Sequence, residues 1–466
     1  MPTRTRPVTA LLFAALAGCT PLPRVVPDLA LRPARPVPVE TARGPATPAR
    51  GQRIIERLKP GGEPSSIFDR HLAIETALTG RPLVADNQVT LLENGTATYR
   101  AMLEAIAGAR RHIEMETYIL QDDEIGQRFA DALIAKRRQG VRVHLLFDSV
   151  GTLDTPPGFF QRLKDAGITL LEYNPINPVE AKAGWDVNER DHRKQLLVDG
   201  EIALMGGINI SGVYSGGSFK ERQRKSGRRG AADAKALPWR DTDLRIEGPV
   251  VAEFQQIFLD TWTQQKGPPL PAEDFVPRRR AAQGRQVVRA IPSSPRDATS
   301  AIYQTLMSSI DHAEKEILIT TAYFVPDPQL LDALARAAGR GVDVKLILPR
   351  HSDVPLVLGA GRAHYGALLR AGVKLHERRA VLLHAKTAVV DGVWSTVGST
   401  NLDWRSFVHN QELNAVVLGT GFGAQMQAAF ARDLAASDPV TLEAWEHRPV
   451  KQRLAEWLGQ LLQYWL

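Results

Sequence analysis

The chain has 466 residues, 44% of them hydrophobic and 23% charged; these are globular values, and the length exceeds what one hydrophobic core usually supports, so two core-forming units are expected. A net charge of +7, from 58 Lys plus Arg against 51 Asp plus Glu, points to an anionic partner, nucleic acid or an acidic lipid surface, without choosing between them. The single cysteine, Cys19, excludes an intramolecular disulfide framework and any cysteine-based metal site.

In chain order, Arg4 and Arg6 precede the apolar run VTALLFAALA and then LAGC, so residues 1–19 have the layout of an export signal with small residues at the cut. The run is shorter than the roughly 20 residues of a membrane span. LAGC resembles the lipobox of bacterial lipoproteins. That resemblance implies lipidation at Cys19 and a lipid-anchored, membrane-associated place in the bacterial cell envelope, on its periplasmic or external side. Thr20, not Asp, follows the cysteine, as in lipoproteins sorted to the outer membrane. Residues 20–60 are rich in Pro, Arg and Ala and read as an extended tether.

From SIFDRHLAIETALTG onward, helix and strand patterns alternate, which predicts an α/β fold with a buried parallel or mixed sheet. The first unit is expected over residues 61–272. A second, over 273–440, repeats its order: LLDALARAAGRGVDVKLILP matches ADALIAKRRQGVRVHLLFD, and YGALLRAGVKLHE matches FQRLKDAGITLLE. This is a duplication, with GPPLPAEDFVPRRRAAQGR as the connector. Residues 441–466 read as a C-terminal amphipathic helix.

Each copy carries H-x-K followed four residues later by Asp: His192, Lys194 and Asp199 in DHRKQLLVDG, and His384, Lys386 and Asp391 in LLHAKTAVVD. One match alone is weak; two in register with a duplication are strong. Asp-Gly closes each segment, so each strand should turn back in a hairpin with a two-residue loop. A Gly200-Glu201 loop sets His192 opposite Asn209 and, in the second copy, His384 opposite Asn401. An Asp199-Gly200 loop sets Gly207 there instead. On either register His, Lys and Asn share a face, and Asp199 and Asp391 lie on the other, bracing the hairpins. A lysine two residues from a histidine makes a poor metal site, because the fixed cation competes with the metal. The same pair suits a phosphate diester: ammonium and amide groups hold the non-bridging oxygens, one imidazole attacks phosphorus, and the other protonates the leaving alkoxide. No metal or cofactor is required.

With these residues in hand, the chain resembles the phospholipase D superfamily, marked by a duplicated H-x-K-x4-D motif with a downstream G-S-x-N. The second copy has Gly398, Ser399 and Asn401; the first has Gly206, Gly207 and Asn209, the GG-x-N form of the cardiolipin synthase branch. The resemblance implies two α/β/α sandwich halves packed with pseudo-two-fold symmetry around one active site. It implies His192 as nucleophile, forming a phosphohistidine, and His384 as general acid and then base. Lys194, Lys386, Asn209, Asn401 and Ser399 would bind phosphate, Asp199 and Asp391 complete the catalytic motifs, and Glu412 and Asp241 would be the carboxylates supporting the imidazoles.

Three features bear on the substrate. The C-terminal RPVKQRLAEWLGQLLQYWL places Leu454, Trp457, Leu458, Leu461, Leu462 and Trp465 at helical spacing, which suits either a bilayer interface or docking on the core. The segment SGGSFKERQRKSGRRGAADAK is basic and suits anionic headgroups or nucleic-acid phosphates. The export signal sets the chain beside phospholipid. Together they favour a phosphatidyltransferase acting on phosphatidylglycerol, with an anionic membrane surface as partner and no nucleic acid. A hydrolase releasing phosphatidic acid shares every catalytic residue and remains open, as does a secreted nuclease.

Overall fold

The computed structural model describes residues 37–59, 61, 65–177, 186–215, 237–275, 281–297 and 299–463; Cys19, Trp465 and the basic segment from 216 to 236 lie outside the described residues. The first unit contributes seven long strands: β1 (Leu83–Glu93), β2 (His112–Thr117), β3 (Arg142–Asp148), β4 (Thr169–Tyr173), β5 (Gln195–Val198), β6 (Ile202–Gly206) and β7 (Thr242–Glu247). They lie in the order β1-β7-β6-β5-β2-β3-β4, with β2, β3 and β4 parallel and the other neighbours antiparallel.

The second unit repeats the pattern with β8 (Gln286–Ser293), β9 (Glu316–Thr321), β10 (Asp343–Pro349), β11 (Lys374–Arg378), β12 (Lys386–Val390), β13 (Trp394–Gly398) and β14 (Asn410–Leu418). Their order, β8-β14-β13-β12-β9-β10-β11, is that of the first sheet strand for strand. β1 and β8 pair antiparallel at Val84 and Val288 and join the two sheets at their edges.

These strands read as nearly unbroken apolar runs because both sheet faces are covered. In β5, Leu196 and Val198 face one cluster, with Tyr99, Phe129 and Leu133 of the helices Asn94–Gly108 and Glu124–Arg138. Leu197 faces another, shared by both halves, which gathers Phe254 and Trp262 of the helix Val251–Gln264 with Phe422 and Met426 of Thr420–Ala435. A third cluster covers the outer face of the second sheet.

Two boundaries differ from expectation. The tether expected to residue 60 is folded from residue 37: Val39 pairs with Leu83, and Pro48–Glu56 is a helix with Thr47 as its cap and Ile55 in the core. The Thr-Pro start and the Ile54-Ile55 pair make a helix locally favourable inside a stretch whose average composition is that of a tether. Moreover, this segment and the helix Leu72–Thr79 pack on the second half, where Glu75 pairs with Arg289 at 2.8 Å. The expected first unit therefore begins with residues that serve its partner.

The motif hairpins also differ. Val198 pairs with Ile202 and Val390 with Trp394, so each loop has three residues, and the two-residue loop is corrected. Asp199 and Gly200 have φ of 54° and 62°, and Asp391 and Gly392 of 52° and 64°. Asp-Gly tolerates this left-handed pair. The third residue follows because the next N–H returns to the strand, Glu201 to Val198 O at 2.8 Å and Val393 to Val390 O at 3.1 Å. A one-residue shift overturns a face assignment made by strict alternation.

The motif aspartates are anchors. The Asp199 carboxylate accepts from the backbone N–H groups of Arg110, Arg111 and His112 at 2.8, 2.7 and 3.0 Å. Asp391 accepts from those of Glu314, Lys315 and Glu316 at 3.0, 2.7 and 3.0 Å. Each holds the N-terminal end of the strand next to its hairpin. Asp199→Ala and Asp391→Ala should each lower stability by about 2 kcal/mol, with Asn milder. Denaturant midpoints check this; unchanged midpoints with lost turnover would place the aspartates in the chemistry instead.

Candidate active site

Each motif histidine enters the site from a two-residue strand lodged against the opposite half. Arg190–Asp191 pairs in parallel with Asn410–Gln411, and Leu382–Leu383 with Trp239–Arg240. The exchange continues at the next residue, where the His192 N–H donates to Gln411 O at 3.0 Å and the His384 N–H to Arg240 O at 2.8 Å. His192, Arg193 and Lys194 then leave the regular ladder before β5 begins.

The carboxylates are exchanged in the same way. His192 Nδ1 lies 3.0 and 3.1 Å from the two oxygens of Glu412, on the second half, and His384 Nδ1 lies 2.6 Å from Asp241 Oδ2, on the first. Burial pushes the Glu412 carboxyl upward, but the charge and hydrogen bond of His192, the Lys194 charge and the Ser399 hydroxyl outweigh it and hold it below its usual range. The ionised Glu412 carboxylate only accepts, so the His192 proton sits on Nδ1 and its neutral ring keeps its lone pair on Nε2.

Both lysines are buried, 2% and 3% exposed at Lys194 and Lys386. Each ammonium donates to the carbonyl of the histidine two residues before it. Burial lowers the Lys194 pKa to about 7 against the pull of Glu412, and burial lowers Lys386 too. Burial likewise drives His192 down to about 4, opposed by Glu412 and aided by both lysine charges. His384 is lowered by burial and then by Lys386, with Asp241 opposing and Lys194 adding. Charges of each half thus act on the imidazole of the other, and the two ammonium groups make the centre suited to an anion.

The halves differ at one atom group. Ser399 Oγ donates to Glu412 Oε2 at 2.5 Å. At the matching Gly207, an added Cβ would stand 2.5 and 2.6 Å from the two oxygens of Asp241. The shorter aspartate fills the space that a serine side chain would need. Ser399 therefore positions a carboxylate in this structure, a role different from the phosphate contact expected of it.

Of the two asparagines, Asn209 accepts from the Ile119 N–H at 3.0 Å and donates to the Tyr214 hydroxyl at 3.1 Å, which stands 3.5 Å from His384 Nδ1. Asn401 is buried, with its side-chain oxygen unpartnered. Sequence reasoning passed over Tyr118, whose ring meets His192 edge-on at 5.2 Å with Lys194 over its face, and Tyr323, 6.4 Å from the His384 ring. Both stand just past the end of β2 or β9, one position out of register in the duplication, so comparing strand ends with a one-residue tolerance would have found them. Arg193 was passed over as well. Its guanidinium donates to Glu412 O, Thr261 Oγ1 and Ser293 O at 3.0, 2.6 and 3.0 Å, fastening the first motif to the second half.

Two histidines with transposed carboxylates and two buried lysines, built from a duplicated sheet, define a phosphodiester-transfer site of the phospholipase D type. The family model described as "Cardiolipin synthase, PLD-like domain" matches residues 102–214 and 306–434, and the chain belongs to that family. It is 33% identical over 383 residues to the cardiolipin synthase of Geobacillus sp. (strain WCH70), covering 82% of this chain and 73% of that one. It is 32% identical over 424 residues to cardiolipin synthase 1 of Bacillus anthracis, covering 88% and 79%. The fold matches the crystal structure of phosphatidylserine synthase from Haemophilus influenzae Rd KW20 with a TM-score of 0.64 at 14% identity, over 85% of this chain and 100% of that one.

Gly207→Ser should drive Asp241 from His384 and lower turnover at least about tenfold, whereas Gly207→Ala with Asp241→Gly should relieve the clash without restoring turnover. Histidine-selective NMR should find His192 neutral, protonated at Nδ1, until pH falls through about 4. A midpoint near 6.5 would contradict the desolvated site.

Proposed function

We propose that the protein is a cardiolipin synthase-like phosphatidyltransferase that takes phosphatidylglycerol and works through a phosphohistidine. The observation that carries the reading is the pair of Nδ1-braced imidazoles beside two buried ammonium groups. His192 Nε2 attacks the phosphorus of one phosphatidylglycerol, and the P–O bond to the headgroup glycerol breaks as His384 Nε2–H protonates the departing oxygen. The hydroxyl of a second phosphatidylglycerol then gives its proton to His384 and attacks phosphorus, breaking the P–N bond. Two phosphatidylglycerols become one cardiolipin and one glycerol.

Burial pushes both imidazoles toward neutrality, which suits a nucleophile but not an acid. An anionic phosphodiester supplies the missing charge, and its arrival raises the pKa of His384 and of both lysines. Substrate binding thereby protonates the acid that the reaction needs. Lys194 and Lys386 are the donors for the non-bridging oxygens. Asn209 lies beside His384 through Tyr214, and Asn401, its counterpart in the second motif, is assigned with it to phosphate binding. The chemistry calls for no metal or cofactor.

The setting we infer is an anionic membrane surface in the bacterial envelope, with Cys19 as lipid anchor. LAGC, the basic segment and the excess of Lys and Arg support it. Among the described residues no helix is long and apolar enough to cross a membrane.

Purified protein incubated with phosphatidylglycerol vesicles should yield cardiolipin and glycerol, identified by mass. Phosphatidic acid without cardiolipin would overturn transfer in favour of hydrolysis, and cleavage of naked DNA in its place would overturn a lipid substrate. His192→Ala should lower turnover by at least about a thousandfold and abolish acid-labile labelling from phosphorus-32 lipid; retained labelling would move the nucleophile elsewhere.

A further inference from the structure

A terminal helix on a water-soluble surface normally buries its apolar stripe and shows its polar face. The last described helix does the reverse. We call Pro355–Arg362 α1 and Val450–Leu462 α2; the two cross closely, with an added Cβ at Gly359 meeting Ala455 O at 2.7 Å and one at Gly459 meeting Ala360 N at 2.3 Å. The face that α2 turns inward carries Gln452, Glu456, Gly459 and Gln463, at helical spacing. Glu456 is 3% exposed and bound by Arg448 at 2.7 Å, and Gln463 meets His364 at 3.3 Å. The outward face carries Leu454, Trp457, Leu458 and Leu461, which are 56, 55, 46 and 62% exposed, with Val450 and Leu462 exposed beside them. Docking of α2 is polar and glycine-mediated, and its apolar stripe has no partner within the chain among the described residues.

We infer that this stripe is the foot by which the enzyme stands on an anionic phospholipid bilayer, holding the mouth of its active site against the lipid surface. The inference rests on the phosphatidyl-transfer reading for its substrate and names the partner of that same site. At 13 residues, α2 is too short to span and long enough to lie in the headgroup region. Its first turn holds exposed Lys451 and Arg453 and no acidic residue. Cations are unfavourable at the positive end of a helix, and lipid phosphates beside them reverse that cost.

Position supports the same occupant. α1, on which α2 lies, has Gly361 against the Phe324 carbonyl, and Asp353, just before α1, accepts the Tyr323 hydroxyl at 2.8 Å. Tyr323 faces His384. The remaining exposed large hydrophobics among the described residues are Leu153, Val187 and Val354, each close in the chain to a residue of the site or of its surround. Leu153 follows Gly151, which lies against the Tyr118 carbonyl; Val187 lies five residues before His192; Val354 follows Asp353. Most of the large apolar exposure among the described residues is thus concentrated on α2, as a surface meant to enter a lipid headgroup layer would be.

The test uses the full chain with Cys19→Ser, so that no acyl anchor contributes, floated with vesicles of phosphatidylglycerol and phosphatidylcholine. This protein should float, and Leu458→Glu with Leu461→Glu should weaken its binding about tenfold or more at an unchanged melting midpoint, since both side chains are exposed. Turnover on vesicles should fall with binding, and turnover on a short-chain phosphatidylglycerol below its micellar concentration should not. Unchanged flotation of the double variant overturns the inference. So does a dimer by sedimentation equilibrium that the same substitutions dissolve, for then a second copy covers the stripe. Failure of turnover on both lipids in the parent protein counts against the phosphatidyl-transfer reading, and flotation still decides the foot.

Discussion

Two ammonium groups and two imidazoles occupy one desolvated centre, and most of the architecture around it exists to make that tolerable. Ions buried this deeply are costly unless they are paired and hydrogen-bonded. The pairing here is transposed: Glu412 of the second half braces His192 of the first, and Asp241 of the first braces His384 of the second. Neither half contains a complete acid-base pair alone. The lead-in strands repeat the exchange at the backbone, and Arg193 fastens one motif to the other sheet. Chemistry and the joining of the halves therefore depend on the same contacts.

The duplication is not chemically symmetric. Ser399 and Glu412 correspond to Gly207 and Asp241, a longer carboxylate with a hydroxyl against a shorter one without. Next to His192 stands Asp191, buried near Glu116, and burial raises both carboxyls. Their counterparts in the second half are Leu383 and Thr320, as the matched pairings of β2 with β5 and of β9 with β12 show. At these two positions the first motif has buried carboxyls where the second has an apolar and a hydroxyl side chain. Such a difference is what two imidazoles need if one is to attack and the other to shuttle protons.

Much of this was legible in the sequence because it rests on spacing. The repeated H-x-K-x4-D segments, in register with the repeated helix and strand order, marked the duplication and the four residues at its centre, whereas Asp241 and Glu412 came from the family resemblance and not from spacing. Other parts depend on relations that a single strand does not carry. The hairpin register turned on a third loop residue whose N–H returns to the strand, and the difference of one inverted an argument from alternation. The helix Pro48–Glu56 was hidden by its surroundings, since composition averages over a Pro-rich stretch while a Thr-Pro start acts locally. Tyr118 and Tyr323 escaped because the repeat is offset by one residue there. The face on which Val450–Leu462 docks was undecidable from amphipathicity, which says that a helix has two faces and not which one the protein keeps.

The most direct test of the split, transposed site is a crystal structure with vanadate, a mimic of pentacoordinate phosphorus. The account predicts vanadium bonded to His192 Nε2, equatorial oxygens held by both Lys194 and Lys386, and His384 Nε2 at hydrogen-bond distance from the apical oxygen opposite, with Glu412 and Asp241 still on the Nδ1 atoms. Vanadate held by one motif alone, or bonded to neither imidazole, would contradict it.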